Sequence, residues 1–306
     1  MSAPESIREL GAMRARARAD KDFARADELR SEIDAAGWRV VDTADGFELV
    51  EKPPFHVYPS LSEATGAVTA PLVVTLIVDG WPDDVDTCLQ ALTSHAPVDS
   101  AVLVFDCGNV DHAGERAEAW ARSHPDRIHV VHLEQTMQQL GWASVVGRAI
   151  DISDCSAFAI MDMSTILEGD ALTPMLKVLE DPAVVATGWR GVNVNVDDAW
   201  RSFDSSGPGE VDAVLGYLMM VRRDLALQTP PDPKARFYRN ADMEWSLLLR
   251  EAGGRIVIPE GELPVRQDRH HGYHDSDPTY RDKQSKKTYD RILQRFRGRE
   301  DLLAPR

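Results

Sequence analysis

Leu72-Val73-Val74-Thr75-Leu76-Ile77-Val78-Asp79-Gly80-Trp81 is an apolar run of strand length that stops at an acidic residue and a glycine. The same pattern repeats outward from it. A helical spacing follows around Val85 to Ser94, a second apolar run covers Ala101 to Phe105, a helix is expected from Ala113 to Ser123, and a third run spans Ile128 to Val131. Strands alternating with helices of this length argue an α/β domain: a mostly parallel sheet, Rossmann-like, with helices on both faces. Runs at Ala157 to Met161, Val184 to Gly188 and Leu215 to Val221 extend the sheet. Asp242 to Ala252 reads as a helix ended by Gly253-Gly254, and Tyr280 to Phe296 carries Tyr289, Ile292, Leu293 and Phe296 on one helical stripe.

The chain has 306 residues, 43% hydrophobic and 27% charged, enough apolar material for a sizeable core. Lys plus Arg total 34 against 50 Asp plus Glu, a formal charge of -16, so nucleic acid held by bulk electrostatics is not an expected partner. The longest apolar runs fall far short of the ~20 residues that cross a bilayer. Charges at Glu5, Arg8, Glu9 and Arg14 interrupt every apolar stretch near the N-terminus, and a cytoplasmic location is the expectation. Cys88, Cys107 and Cys155 are widely spaced, which suggests free thiols rather than a disulfide framework or zinc knuckle.

Residues 1–51 form a separate module. Ile7, Leu10, Met13, then Phe23, Ala26, Leu29 and Ile33 recur at helical spacing; Gly37 suits a helix stop; Trp38 to Val41 and Phe47 to Val50 flank the turn composition Asp42-Thr43-Ala44-Asp45-Gly46. Two helices and a β-hairpin follow. Residues 52–70, with Pro53, Pro54, Pro59 and Gly66, lack either periodicity and are expected as a linker, leaving 71–306 as the main domain. The stretch Lys21-Asp22-Phe23-Ala24-Arg25-Ala26-Asp27-Glu28-Leu29-Arg30, leading to Asp42-Thr43 and Gly46, resembles the extreme C-terminal segment of cysteinyl-tRNA synthetases. No synthetase catalytic motif accompanies it, so docking, homodimerisation or plain stabilisation ranks above an RNA-adaptor role.

In open parallel sheets, ligands bind outside the carboxyl ends of the strands. Three places qualify: Asp79-Gly80-Trp81, Asp106-Cys107-Gly108-Asn109-Val110-Asp111, and Asp162-Met163-Ser164-Thr165. An Asp there can accept from a base imide or ribose hydroxyls, and an adjacent glycine lets the backbone approach.

Together these elements resemble the nucleotide-binding half of a family 2 glycosyltransferase of GT-A fold. Cys88-Leu89-Gln90-Ala91-Leu92 matches its first helix; Asp106, Gly108 and Asp111 match an Asp-x-Gly-Ser-x-Asp loop with Asn109 for serine; Gly147-Arg148-Ala149-Ile150 stands for Asn-Arg-Gly-Ile; and Asp162-Met163-Ser164 replaces the metal-binding Asp-x-Asp. In the second half, Asn240-Ala241-Asp242-Met243-Glu244-Trp245 aligns Asp242 with the family's catalytic base, and Glu244 stands behind it. The resemblance implies an inverting, hexosyltransferase-like enzyme using a nucleotide diphosphate sugar donor, an acceptor of glycan, lipid or small-molecule type, and Mg²⁺ or Mn²⁺. Asp79, Asp106, Gly108, Asn109, Asp111, Arg148 and Asp162 are then the expected nucleotide-sugar ligands.

Arg266-Gln267-Asp268-Arg269-His270-His271-Gly272-Tyr273-His274 packs three histidines and two arginines into nine residues. His271, then His274, are the expected metal or phosphate contacts beside Asp162; for His270 a solvated polar loop is an even alternative. Asp162 and Asp242 also read as turn or helix caps. Ser164 and Ala241, standing where the family has carboxylates, keep open a catalytically silent sugar-nucleotide sensor or scaffold. Lys283, Lys286, Lys287, Arg291, Arg295, Arg297 and Arg299 make the last helix basic, so a peripheral membrane contact stays open, but Asp282, Asp290, Glu300 and Asp301 dilute the field and favour the solvated face of a helix packed on the domain.

Overall fold

The structure, a computed structural model, describes residues 3–43 and 46–306. It divides into two compact units, Met1–His56 and Val57–Arg306.

In the first unit, helices Glu5–Ala19 and Phe23–Ala35 precede a hairpin of Trp38–Thr43 and Gly46–Glu51. Ile7, Ile33, Trp38 and Val40 form its core. Asp22 caps the second helix by accepting from the Arg25 amide at 3.1 Å, and Gly37 at φ +82° turns the chain into the hairpin. Arg14, almost fully buried, donates to Asp42 at 2.8 and 3.1 Å and joins helix to hairpin. The expected apolar stripe is too wide: Met13 and Phe23 are exposed, because one points away from the hairpin and the other opens its helix. Ala44 and Asp45, part of the expected turn, lie outside the described residues.

The main unit is built on a nine-stranded mixed sheet. Its spatial order is Gly209–Glu210, Arg255–Ile258, Val184–Gly188, Leu218–Arg222, Ala157–Met161, Leu72–Val78, Ala101–Cys107, Ile128–Leu133 and Val57–Tyr58. Residues alternate between two cores with the strand period: Val73, Leu103, Phe105, Phe158 and Ile160 face one side, while Leu72, Val74, Leu76, Val102, Val104 and Ala159 face the other. Helices Trp142–Ile152 and Ala241–Glu251 cover the first face, and Pro82–His95, Ala113–Ser123 and Leu172–Val178 cover the second. Leu218–Arg222 runs antiparallel to both of its neighbours, so it enters the sheet where Leu72–Val78 and Ala157–Met161 leave it.

One expectation needs correction. Residues 57–70 are no linker: Val57–Tyr58 pairs with the Ile128–Leu133 strand, Val68–Thr69 pairs with Ser153–Asp154, and Ala64 is fully buried. Its apolar residues are spaced for neither period because they dock singly onto a preformed edge. The last helix, Pro278–Phe296, packs on the domain through its apolar stripe, as expected: Ile292 and Phe296 are fully buried against Val192, Trp200, Met243 and Leu247. Arg291 and Arg295 are spent on Glu244 and Glu251. Among the described residues, no helix is long and apolar enough to cross a membrane. Cys88 and Cys107 are buried free thiols, and Cys155 is a half-buried one.

Two glycines test the packing in opposite directions. A Cβ on Gly114 would stand 2.0 Å from Asp106 Oδ2, whereas one on Gly147, also helical, would meet nothing within 4 Å. Urea denaturation should show Gly114→Ala losing about 1–3 kcal/mol through overpacking and Gly147→Ala gaining about 0.5–1 kcal/mol from helix propensity. Equal effects would refute the packing described here.

Candidate active site

At the carboxyl rim of the sheet lies a cleft of about 490 Å³. The strand Leu72–Val78 delivers Asp79 and Trp81 to it, and Ala157–Met161 delivers Asp162. Because Leu218–Arg222 is reversed, the residues before it, Gly216 and Tyr217, stand at the same rim. Main-chain bonds pin the junction: the Asp162 amide donates to the Tyr217 carbonyl at 3.0 Å, and the Thr165 hydroxyl donates to the same oxygen at 2.8 Å.

Asp162 sits in a tight turn. Its Oδ1 accepts from the Ser164 amide at 2.8 Å and the Ser164 hydroxyl at 2.5 Å. Its Oδ2 meets His270 Nε2 in a short contact, and His270 Nδ1 lies 2.7 Å from the Tyr238 hydroxyl. His270 is buried, with Tyr238 edge-on at 4.7 Å and Tyr217 at 6.0 Å between ring centroids. It reaches this place because the short strand Val265–Gln267 pairs antiparallel with Thr165–Leu167, carrying the chain back along the Asp162 turn.

Asp242 opens the helix Ala241–Glu251. Its Oδ2 accepts from the Gly216 amide at 2.7 Å and its Oδ1 from the Met243 amide at 2.8 Å. Gly216 is needed for that approach, since a Cβ there would stand 3.3 Å from the Asp242 side chain. Burial pushes the Asp242 carboxyl up to about 6 despite these main-chain donors. Asp79 is also raised to about 6, by burial first and the Asp162 charge second, while His270 opposes the rise. Burial raises Asp84 as well. The cleft thus gathers two carboxylates, Asp79 and Asp242, raised to about 6.

Other expected residues stand elsewhere. Asp106 is buried beneath the rim, with Oδ2 2.8 Å from His132 Nδ1 and Oδ1 accepting from the Asn109 amide at 3.0 Å. It shapes the loop and does not face the cleft. Gly108, Asn109 and Asp111 continue that loop with φ of +92°, +46° and +52°. The loop touches the Asp79 turn through Val110 and Asp111 at Gly80, but none of the three lines the cleft. Arg148 donates to the Ala64 carbonyl at 3.1 Å through Nε and secures the 57–70 segment. Glu244 is buried in a two-pronged pair with Arg291 at 2.8 and 2.7 Å, pointing to the last helix rather than the cleft. Its role as reserve base is therefore corrected to a structural one.

Of the metal expectations, only Asp162 stands with a histidine, and that histidine is His270. His271 lines the cleft but stacks on Trp81 at 5.9 Å and bonds to Asp275 at 2.6 Å. His274 is exposed on an adjoining groove. The sequence lacked a signal to rank the three, because register in a three-residue strand decides which one faces inward. Among the described residues, no group of three or more His, Cys, Asp or Glu side chains converges as a cage. A carboxylate and an imidazole that already meet, aimed into the same cleft, nonetheless fit Mn²⁺ or Mg²⁺ whose remaining positions are filled by water and phosphate oxygens. Tyr238 then holds the outer nitrogen of the imidazole.

Comparison with known proteins agrees with this architecture. The chain superposes on the mannosyltransferase PcManGT from Pyrobaculum calidifontis, solved with GDP-Man and Mn²⁺, at TM-score 0.54 and 18% identity, covering 73% of this chain and 63% of that one. It superposes on GalNAc-T7, solved with UDP, GalNAc and Mn²⁺, at TM-score 0.59 and 11% identity, covering 74% and 48%. The fold is GT-A. A short N-terminal segment is 54% identical over 46 residues to cysteine–tRNA ligase 1 of Burkholderia lata, spanning 15% of this chain and 10% of the ligase. No protein-family model matches the chain.

The raised Asp242 carboxyl has a testable sign. An unfolded Asp ionises near pH 4, whereas the folded one holds its proton to about 6. The folded state binds more protons in that window, so this group's stabilisation is complete below about pH 4 and fades as pH rises through 6. Asp242→Asn should abolish this slope, gaining roughly 2–3 kcal/mol on the parent between about pH 4 and pH 7 in urea denaturation. Parallel curves would mean that the carboxyl is not raised.

Proposed function

We propose that the main unit is an inverting glycosyltransferase of family 2 type, moving a hexosyl group from a nucleotide diphosphate sugar to a hydroxyl acceptor by single displacement. The observation that carries this reading is the shared cleft of Asp79, Asp162, His270 and Asp242. The Mn²⁺ and nucleotide-sugar ligands of the two similar structures support it.

Asp79, on the cleft wall, accepts from the base or ribose. Asp162 and His270 would hold Mn²⁺ or Mg²⁺, which neutralises charge on the departing diphosphate when bound. Asp242 takes the proton of the acceptor hydroxyl as that oxygen attacks the anomeric carbon. A carboxyl near 6 is ionised at neutral pH yet basic enough for the task. Both Asp242 oxygens are anchored by main-chain amides, which suits a fixed base rather than a nucleophile that must swing toward carbon. The opposing reading, a silent sensor, draws on Ser164, which occupies one face of Asp162 with two donated bonds. For the N-terminal unit we propose docking or homodimerisation.

Donor hydrolysis separates the readings. With UDP- and GDP-hexoses and Mn²⁺, nucleoside diphosphate release should be detectable and fall about 100-fold or more in Asp242→Asn. Asp162→Ala should also erase the Mn²⁺-dependent rise in melting temperature given by UDP or GDP. Unchanged release in Asp242→Asn would remove the base assignment, and donor binding without turnover would favour the sensor.

The proposed base also sets the pH profile. Turnover per unit donor should climb with pH along an acid limb near 6, where Asp242 and Asp79 ionise together. A flat profile between about pH 5 and 8 would contradict it.

A further inference from the structure

A second groove, of about 770 Å³, opens beside the reaction cleft and shares Tyr217, Tyr238, Arg239 and His270 with it. Two of its guanidinium groups are set apart from every other arginine around it. Arg266 is matched by Asp268 and Glu168, and Arg269 by Asp275. Arg190 and Arg239 have no carboxylate within ion-pair distance among the described residues. In a chain with 50 carboxylates for 34 cations, two such groups in one groove call for a reason.

Both lie over aromatic rings. Arg190 lies 4.0 Å over the Trp189 ring and 5.4 Å from that of Tyr217; Arg239 lies 5.3 Å from the Tyr273 ring. Each spends a single side-chain bond on a neutral acceptor, Arg190 on Gln267 at 3.2 Å and Arg239 on the Tyr273 hydroxyl at 2.7 Å. A guanidinium stacked by its face keeps its remaining N–H edge free, in the fork geometry that matches a phosphate or carboxylate. The carboxylates lining the groove are Asp268, already engaged by Arg266, and Glu262, exposed at its edge.

The topology puts this feature on the reaction side. Val184–Gly188 runs parallel to Ala157–Met161, so Trp189 and Arg190 leave the sheet at the rim that carries Asp162. Resting on the sugar-transfer reading above, we propose that Arg190 and Arg239 grip an anionic group carried by the acceptor, so that the enzyme prefers acceptors bearing a phosphate or carboxylate.

The test compares glucose 6-phosphate, glucuronate and methyl glucoside as acceptors, with UDP- and GDP-hexoses and Mn²⁺. Expected is a preference of roughly tenfold or more for a charged acceptor, the two charged arms showing which anion is used. The double variant Arg190→Gln/Arg239→Gln should raise the KM of that acceptor by at least about tenfold while the donor KM moves less than about threefold. Equal use of methyl glucoside would overturn the proposal, as would a donor KM that rises in step, since the arginines would then serve the donor diphosphate. If no donor is turned over, calorimetric titration of glucose 6-phosphate and inorganic phosphate decides separately. Saturable binding lost in the double variant keeps the anion groove and discards transfer; no binding discards the groove.

Discussion

The antiparallel pairing of Leu218–Arg222 with Ala157–Met161 is the constraint on which the site depends. Seven of the other eight strands run one way, and a wholly parallel sheet would send the approach to this strand to the opposite rim. Reversal places Tyr217 directly over the Asp162 turn, where its carbonyl accepts two hydrogen bonds. It also sets the Gly216 amide against Asp242, so a helix far along the chain is tied to the turn after a central strand. Those few hydrogen bonds hold two carboxylates around one space.

Their environments then separate them. Asp162 is partly buried at the rim of the cleft, with His270 in contact with one carboxylate oxygen and Ser164 donating to the other. Asp242 is buried with only main-chain donors, a setting that raises its proton affinity. Burial and neighbours alone set these similar side chains apart, the difference on which the proposed roles of binder and base rest. The same logic runs outward, where aromatic faces and absent carboxylates leave Arg190 and Arg239 with unspent charge.

Legibility in the sequence followed the strength of local patterning. The central strands and the helices at 82–95, 113–123, 241–251 and 278–296 stood out because their apolar periods extend over many residues. Short or irregular pieces did not: Gly191–Val194, Phe203–Ser206, Arg255–Ile258 and Val265–Gln267 contain too few residues to show a period. The 57–70 segment looked like a linker because it has no period of its own and is held by scattered anchors such as Arg148 on Ala64. Asp106 shows the complementary failure, since an acidic residue at a strand end reads the same whether it faces a ligand or a buried histidine.

What the sequence alone determined is the alternating α/β plan, the separate N-terminal module, and the acidic strand ends that make a nucleotide-sugar site conceivable, all consequences of local spacing and composition. What only the tertiary structure decided is which side chains come together: His270 rather than His271 or His274 at Asp162, Glu244 turned to Arg291 and away from the cleft, and Arg190 and Arg239 on one groove. The reason is physical. Periodicity is written in neighbours three or four residues apart, whereas direction, register and burial depend on partners tens of residues away, and a shift of one position in a strand turns a side chain to the other face.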